Sequence, residues 1–351
     1  MELDTLRDEI HKRDEEIIRL ISERTKLAEQ VGMYKREHRL PIRNTAVEKD
    51  VIGRYVGAGA SAGLSEEVMG TVAKALIKEA VDVESALPTD TEPKRIAVIG
   101  GAGKMGAWVS EHLRKGGHEV MVIDPASDNG LTIGDCEGCD AAIVSVPIHL
   151  ADRILSELDR VCGEDCLIFD LTSLKTPVIE RLKAMAKTRK VCSVHPMFGP
   201  SARSMYGRNL IVCDCGNRQA VDEAKGLFDD SGGSIRIMDI AEHDRYMSYV
   251  LGLTHAVNIA LFTVLQRSGY SFEDLLTVSS TTFDKGLDAN RSVASEDPML
   301  YYEIQHMNAH RDEMWSLFSS TVEELKRNSL DDDPREFVAT MNAGREYFEG
   351  R

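Results

Sequence analysis

The stretch Arg95-Ile-Ala-Val-Ile-Gly-Gly-Ala-Gly-Lys-Met-Gly106 is a short apolar run followed directly by a glycine-rich turn and the start of a helical pattern. A second apolar run, Glu119-Val-Met-Val-Ile-Asp124, ends in a carboxylate 18 residues after the last glycine. A strand, a G-x-G-x-x-G turn, a helix and a second strand with an acidic end form the unit that binds dinucleotides. The glycines let the backbone approach a pyrophosphate, and the helix N-terminus attracts the negative charge.

This unit predicts a cofactor site, the alternative being a glycine turn with a purely structural role. An acidic side chain at the second strand end accepts hydrogen bonds from ribose hydroxyls and would repel a 2′-phosphate. No arginine follows Asp124 closely, so NAD is favoured over NADP. The predicted cofactor-binding residues here are Gly101, Gly103, Lys104, Met105, Gly106 and Asp124.

Strand and helix patterns alternate along the rest of the middle of the chain. Further apolar runs begin at Ala141, Cys166, Val191 and Asn209. Such alternation predicts a parallel sheet covered by helices on both faces, and therefore an α/β Rossmann-type domain over residues 95–240. No strand pattern remains from Ala241 onward, so residues 241–351 are predicted to be an all-α domain, with helices over 243–267, 272–287, 297–327 and 334–348.

The N-terminal part is predicted to be an all-α domain of three helices over residues 1–87. The first helix, 1 to about 36, would run on the order of 50 Å, which is too long for so small a domain, so we expect it to pack against a partner chain. A second helix is predicted from Thr45 to Val56, a loop over the Gly/Ala/Ser segment 57–63, and a third helix after the N-cap Ser65. The polar, proline-containing segment 88–94 is predicted to be a linker.

Composition limits the classes of function. The chain has 351 residues, a formal net charge of −16 and 42% hydrophobic residues, typical of soluble protein with two or three domains. The acidic balance disfavours nucleic acid, and the charged N-terminus and the lack of a long apolar run predict a cytoplasmic protein outside the membrane. Seven cysteines without an export signal predict reduced thiols. We expect no bound metal; the alternative is zinc held by the cysteines at positions 136, 139, 162 and 166.

Four motifs in the second part resemble those of prephenate dehydrogenases. They are Ser145-Val-Pro-Ile-His149, Asp170-Leu-Thr-Ser-Leu-Lys175, His195-Pro-Met-Phe-Gly-Pro200 and Glu242-His-Asp244. The resemblance implies NAD-dependent oxidation of prephenate with loss of carbon dioxide, giving 4-hydroxyphenylpyruvate, a precursor of tyrosine. It also implies that His195 accepts the proton of the substrate hydroxyl, that Ser173 lies beside that hydroxyl, and that the cofactor contacts Ser145, Val146 and Pro147.

The resemblance also implies that the all-α residues 241–351 form a dimerisation and substrate domain, and it matches two further residues to the substrate. His255 corresponds to a second family histidine, although a lone histidine on an apolar helix is often only a core residue. Arg291 corresponds to the arginine that pairs with a substrate carboxylate, for which a guanidinium is well shaped. The segment from Arg291 to Pro298 is one residue longer than is usual in the family, which puts this match in question.

The first 86 residues resemble the all-helical chorismate mutases, which form intertwined dimers and rearrange chorismate to prephenate. The similar motifs are Leu6-Arg-Asp-Glu-Ile10, Glu23-Arg24, Gly32-Met-Tyr-Lys35 and Pro41-Ile-Arg-Asn-Thr-Ala-Val-Glu48. The implied roles are carboxylate binding by Arg7 and Arg24, ether-oxygen and carboxylate contact by Lys35, and hydroxyl binding by Glu48 with Asn44 nearby. Glu84 takes the second ether-oxygen donor position, where many members have glutamine, so it can donate only when protonated.

Helix geometry supports this site independently, although a solvated charged face is the ordinary meaning of such residues. Arg24 and Lys35 are 11 residues apart, about three helical turns, so their side chains lie on the same face of the helix. Arg7 is about four turns from Arg24 and lies off that face, so it cannot easily reach the same ligand. Three residues differ from those usual in the family: Asn44, Val47 and Glu84. A mutase of low activity is therefore one of the alternatives.

We therefore expect a bifunctional, homodimeric enzyme acting on chorismate and prephenate, with tyrosine as a feedback inhibitor by family expectation. Two alternatives remain. One is a dehydrogenase whose N-terminal helices only dimerise and regulate; the other is a non-catalytic NAD-binding sensor.

Overall fold

The computed structural model describes residues 3–38, 40–87, 92–229 and 232–350. These residues form two compact units, one made of Met1–Ser173 and Val178–Ile240, the other of Leu174–Pro177 and Ala241–Arg351. Residues 88–91, most of the predicted linker, lie outside the described part, and residues 92–94 have no regular structure before the first strand.

Three helices open the first unit: α1, Leu3–Glu37; α2, Thr45–Ser61; and α3, Glu66–Ser85. The predicted first helix and the predicted Ser65 cap are confirmed, since Ser65 Oγ accepts a hydrogen bond from Val68 N at 3.4 Å. The predicted loop over 57–63 is wrong, because α2 continues to Ser61. A Cβ at Gly59 would lie 2.3 Å from Met69 Cγ, so the small residues allow α2 and α3 to pack closely.

A seven-stranded sheet follows, with strand order β2-β1-β3-β4-β5-β6-β7. The strands are Arg95–Ile99, Glu119–Ile123, Ala141–Val144, Leu167–Asp170, Val191–Pro196, Asn209–Asp214 and Ser234–Asp239. The helices between them are α4, Lys104–Lys115; α5, Ile148–Val161; α6, Ile179–Met185; and α7, Arg218–Gly226. Strands and helices alternate as predicted from β1 to β2 and from β3 to β5, whereas two short 3-10 segments rather than an α-helix connect β2 to β3.

The sheet corrects two expectations. It is mixed rather than wholly parallel, because β6 runs antiparallel to β5. The segment between these strands contains turns rather than the helix of a parallel crossover. The strand β7 was also not predicted, because Ser234-Ile-Arg-Ile-Met-Asp239 alternates apolar and polar residues at the sheet edge instead of forming a continuous apolar run.

The second unit is helical, as predicted, but its helices are more interrupted. They are α8, Ile240–Met247; α9, Thr254–Arg267; α10, Phe272–Thr277; α11, Thr281–Ser295; α12, Pro298–Met307; α13, Arg311–Leu330; and α14, Arg335–Glu349. A π-helical segment, Ser248–Leu253, joins α8 and α9. The break before α11 is stabilised by Ser280 Oγ, which accepts from Phe283 N at 3.2 Å. Asn308 ends α12, with its side chain donating to the carbonyl of Asp244 at 2.9 Å.

One helical run among the described residues, Ile240–Arg267, is long and apolar enough to cross a membrane by length and composition. This run was not predicted from the sequence, because polar residues interrupt the apolar ones. Asp244 and His255 are buried within it, and Asn258 bonds to the neighbouring helix α11. Within the described part of the chain, 28% of its apolar window is buried.

Candidate active sites

The N-terminal helices bring Lys35 and Glu84 together. Lys35 Nζ lies 2.6 Å from Glu84 Oε2 and also donates to the carbonyl of Ile42 at 2.6 Å. The Glu84 side chain is only 6% exposed, so this ion pair is shielded from water. Arg24 is partly buried on the side of α1 that faces α3, where its Nη1 donates to the carbonyl of Leu76 at 2.7 Å. A cation, a carboxyl group and a guanidinium thus line the region between α1 and α3.

Glu48 is held on α2 by an arginine that the sequence analysis did not assign. Arg43 Nε and Nη2 donate to the two carboxylate oxygens of Glu48 at 2.9 and 3.2 Å, a fork that fixes the carboxylate orientation. Asn44 caps α2, since its Oδ1 accepts from the amides of Ala46 and Val47. The structure therefore gives Asn44 a helix-capping contact.

Arg7 lies far from this region within the chain. Arg7 and Lys35 are 28 residues apart on α1, which corresponds to about 42 Å along the helix axis. The Arg7 side chain is 68% exposed and forms an ion pair with Asp4. The same part of α1 exposes a series of large apolar side chains: Leu3, Leu6, Ile10, Ile17, Ile18, Leu20 and Ile21. A monomer would leave this stripe in water.

The glycine-rich turn lies at the carboxyl end of β1, between the ends of β2 and β3. Gly100 has a φ of +81°, and a Cβ there would lie 2.1 Å from the carbonyl oxygen of Ser145. A Cβ at Gly106 would lie 2.2 Å from the oxygen of Gly100, so α4 can start this close to β1 only with glycine. The first turn of α4 has no side-chain cap, which leaves its amide donors for an anion.

Asp124 extends from the carboxyl end of β2 beside this turn. Its Oδ2 accepts from Ala102 N in the glycine-rich turn at 3.1 Å, and its Oδ1 accepts from Ala126 N at 2.9 Å. The turn Ser145-Val146-Pro147 leaves β3 at the same edge, because Ile99 pairs with both Ile123 and Val144. These residues fit a dinucleotide: an anion site at a helix N-terminus and a carboxylate at the next strand end.

His195 and Ser173 lie at the same edge of the sheet. His195 is the penultimate residue of β5 and is 4% exposed. Ser173 follows β4, which pairs with β5 through Asp170 and Ser193. Asp170 is fully buried and accepts from Ser193 Oγ at 2.6 Å and from Thr172 N at 2.9 Å. Asp170 thereby ties the turn that carries Ser173 to the strand that carries His195, a role that the sequence analysis did not assign.

In the helical unit, Asp244 organises the segment Leu174–Pro177. Its carboxylate accepts from Lys175 N at 2.8 Å, from Thr176 N at 2.6 Å and from His243 Nδ1 at 2.7 Å. Burial alone would raise the pKa of Asp244, but the hydrogen bond and charge of His243 and the bonds from Thr176 and Lys175 lower it. The ionised carboxylate is therefore a fixed anchor for the chain just after Ser173.

His255 and Arg291 lie on packed helices, α9 and α11. These helices are joined by Asn290 Nδ2, which donates to Asn258 Oδ1 at 2.6 Å. The His255 ring stacks on Tyr301 with centroids 4.0 Å apart, and its Nδ1 has no hydrogen-bond partner among the described residues. Burial lowers the pKa of His255 to about 4, so the ring is neutral at neutral pH. The Arg291 guanidinium lies 5.2 Å from the Phe272 ring centroid.

All seven cysteines are buried free thiols. Within residues 3–38, 40–87, 92–229 and 232–350, no group of three or more His, Cys, Asp or Glu side chains is arranged to hold a metal ion.

Comparisons with known proteins divide the chain into three regions. Residues 6–85 match the family model of chorismate mutase type II. Residues 109–237 match that of the prephenate dehydrogenase nucleotide-binding domain, and residues 239–343 that of the prephenate dehydrogenase dimerization domain.

The T-protein of Haemophilus influenzae is 26% identical over 349 residues, covering 99% of this chain and 92% of the relative. Prephenate dehydrogenase from A. aeolicus, solved with hydroxyphenyl propionate and NAD+, is 20% identical, with a TM-score of 0.60 over 75% of this chain and 99% of that one. Synechocystis arogenate dehydrogenase is 17% identical, with a TM-score of 0.56 over 72% of this chain and 99% of that one. The chain therefore belongs to the bifunctional chorismate mutase/prephenate dehydrogenase family of tyrosine biosynthesis.

Proposed function

We propose that Arg24, Lys35, Glu48 and Glu84 form the mutase site. Rearrangement of chorismate is unimolecular, so the protein needs only to hold the dianion in its reactive shape and to stabilise the charge that develops on the ether oxygen. Arg24 would bind a carboxylate, Lys35 the ether oxygen and a carboxylate, and Glu48 the hydroxyl. The observation that supports this arrangement is the shielded contact between Lys35 and Glu84.

We propose that Arg7 serves the mutase site of a second copy of the chain in a homodimer. Within one chain Arg7 is too far along α1 to reach Lys35, whereas an antiparallel partner helix would bring it there. The exposed apolar stripe on α1 supports this pairing, because a partner helix would cover it. The mutase, nucleotide-binding and C-terminal domains would span residues 1–87, 95–240 and 241–351.

Glu84→Gln tests the role of this carboxyl group. A carboxylate can only accept hydrogen bonds, as Glu84 does from Lys35 Nζ, whereas a glutamine amide also donates. We expect Glu84→Gln to raise mutase kcat/KM by about tenfold, because it adds a donor for the charge that develops on the ether oxygen. Chorismate loss is the measurement. A lower kcat/KM in Glu84→Gln would contradict the placement of this residue at the ether oxygen.

For the dehydrogenase we propose that NAD lies on the glycine-rich turn, with its pyrophosphate at the N-terminus of α4 and its ribose at Asp124. Bound there, NAD would supply the acceptor for the hydride that leaves carbon 4 of prephenate. His195 accepts the proton of the hydroxyl on that carbon, and Ser173 positions the hydroxyl. Loss of carbon dioxide then follows from the aromatisation of the ring. The observation that supports this proposal is the placement of Asp124, Ser145, Ser173 and His195 at successive strand ends.

In the helical unit, His255 and Arg291 are proposed to bind substrate. A neutral His255 offers a hydrogen bond but no charge, so the substrate carboxylate would be neutralised by Arg291 instead.

We also propose a cytoplasmic enzyme, consistent with seven free thiols, and tyrosine as a feedback inhibitor.

Substrate and cofactor choice test this proposal. NADH or NADPH formation is measured with prephenate or arogenate as the substrate, each with NAD or NADP. We expect prephenate with NAD to give the highest kcat/KM, because the fused mutase produces prephenate and Asp124 repels a 2′-phosphate. A higher kcat/KM with arogenate would overturn the proposed substrate, and a preference for NADP would overturn the role of Asp124.

A further inference from the structure

The N-terminal helices contact Ser204 and Tyr206 in the segment 198–208, which follows the strand of His195. Tyr206 from this segment packs on the small apolar cluster of Ile42, Ile77 and Val81. Ser204 Oγ donates to Asp82 on α3, and a Cβ at Gly232 would lie 2.7 Å from Val81 Cγ1. The two domains are therefore in close contact here, and the contact is both apolar and hydrogen-bonded.

Tyr206 reaches the carboxylate that is proposed to bind the chorismate hydroxyl. Its ring centroid is 5.2 Å from the guanidinium carbon of Arg43, the residue that donates two hydrogen bonds to Glu48. Burial raises the pKa of Tyr206, and the adjacent charge of Glu48 raises it further. The phenol is therefore a protonated donor beside the Glu48 carboxylate.

Several contacts hold Tyr206 in this position from the dehydrogenase side. Its amide donates to Ser204 Oγ at 3.3 Å, and Gly207, with a φ of +68°, makes the turn that follows it. Trp108 on α4 donates from Nε1 to the carbonyl of Ala202 at 2.8 Å, which fixes the segment to the nucleotide-binding domain. The Arg43 and Glu48 side chains are 27% and 15% exposed, so the Tyr206 ring adds a packing contact to a pair that solvent still reaches.

We propose that Tyr206, although it belongs to the nucleotide-binding domain, is a positioning residue for the mutase reaction, because its ring packs on Arg43 and its hydroxyl faces Glu48. This inference rests on the proposed role of Glu48. It makes the dehydrogenase part of the chain a component of the mutase site, so the two activities are joined by more than a covalent linker.

The test uses the full-length protein and the variants Tyr206→Phe, Glu48→Gln and the double variant. Phenylalanine keeps the ring over Arg43 and removes only the hydroxyl. We expect Tyr206→Phe to lower mutase kcat/KM about tenfold, the scale of one hydrogen bond to a charged group, and to leave dehydrogenase kcat/KM within about twofold. In the Glu48→Gln background the same change should have no further effect, because the residue acts through Glu48.

Lys78→Gln is the matched control, since it removes the ion pair with Asp82 at the same contact without touching Tyr206 or Glu48. It should leave mutase kcat/KM within about twofold. An equal loss in Tyr206→Phe and Lys78→Gln, or an undiminished Tyr206→Phe effect in the Glu48→Gln background, would overturn the inference and indicate packing only. Unchanged mutase activity in Tyr206→Phe would also overturn it. Absence of mutase activity in the wild-type protein would instead refute the proposed mutase function.

Discussion

His195→Asn is expected to lower the dehydrogenase kcat by about 10²–10⁴-fold, the range for loss of a positioned general base. Asparagine retains a hydrogen-bonding group of similar size but cannot take up a proton at neutral pH. The proton of the carbon 4 hydroxyl would then have no acceptor while hydride leaves. The measurement is NADH formation at saturating prephenate and NAD.

The same variant contains its own control, because the mutase site uses other side chains. Mutase kcat/KM should remain within about twofold of wild type, which would show that the buried end of β5 is still folded. A dehydrogenase kcat that is unchanged in His195→Asn would contradict the assignment of this residue as the base.

Lys35→Gln is expected to lower mutase kcat by about 10²–10³-fold, the scale for removing one preorganised group from developing charge. Lys35 is the cation that lies closest to Glu84, and it is held at 2.6 Å from both Glu84 and the carbonyl of Ile42. Glutamine can still donate a hydrogen bond, so the loss would measure the positive charge. Chorismate disappearance is the readout.

The matched control is Lys26→Gln, which removes a charge from an exposed position on the same helix. We expect it to change mutase kcat by less than about twofold, because surface charges interact weakly through water. Dehydrogenase kcat/KM should be unchanged in both variants. Equal effects of Lys26→Gln and Lys35→Gln would show that only the net charge of the helix matters, and would contradict the proposed site.

The sequence was sufficient for features that depend on local pattern. The glycine-rich turn, the strand directly before Asp124 and the long α1 each follow from residue types within one segment, and the structure has all three. The two family resemblances also named the correct domain types. By contrast, β7 was missed because an edge strand buries one face only and shows no continuous apolar run.

Features that depend on distant parts of the chain could not be predicted. Arg43 is paired with Glu48 nearby, but its packing partner Tyr206 lies in another domain. Asp244 was quoted within a motif, yet its role as an anchor for Lys175 and Thr176 appears only when α8 meets that segment. The extension of α2 through its glycines depends on Met69 of α3. In each case tertiary packing overrides a local signal.

The central claim, that one chain carries both activities, is tested most directly by a single assay. Purified protein is given chorismate and NAD, and chorismate loss and NADH formation are followed together. We expect both signals, with NADH appearing after a lag while prephenate accumulates. NADH formation only when prephenate replaces chorismate would contradict the mutase assignment and reduce residues 1–87 to a dimerisation module, and no NADH from either substrate would contradict the dehydrogenase assignment.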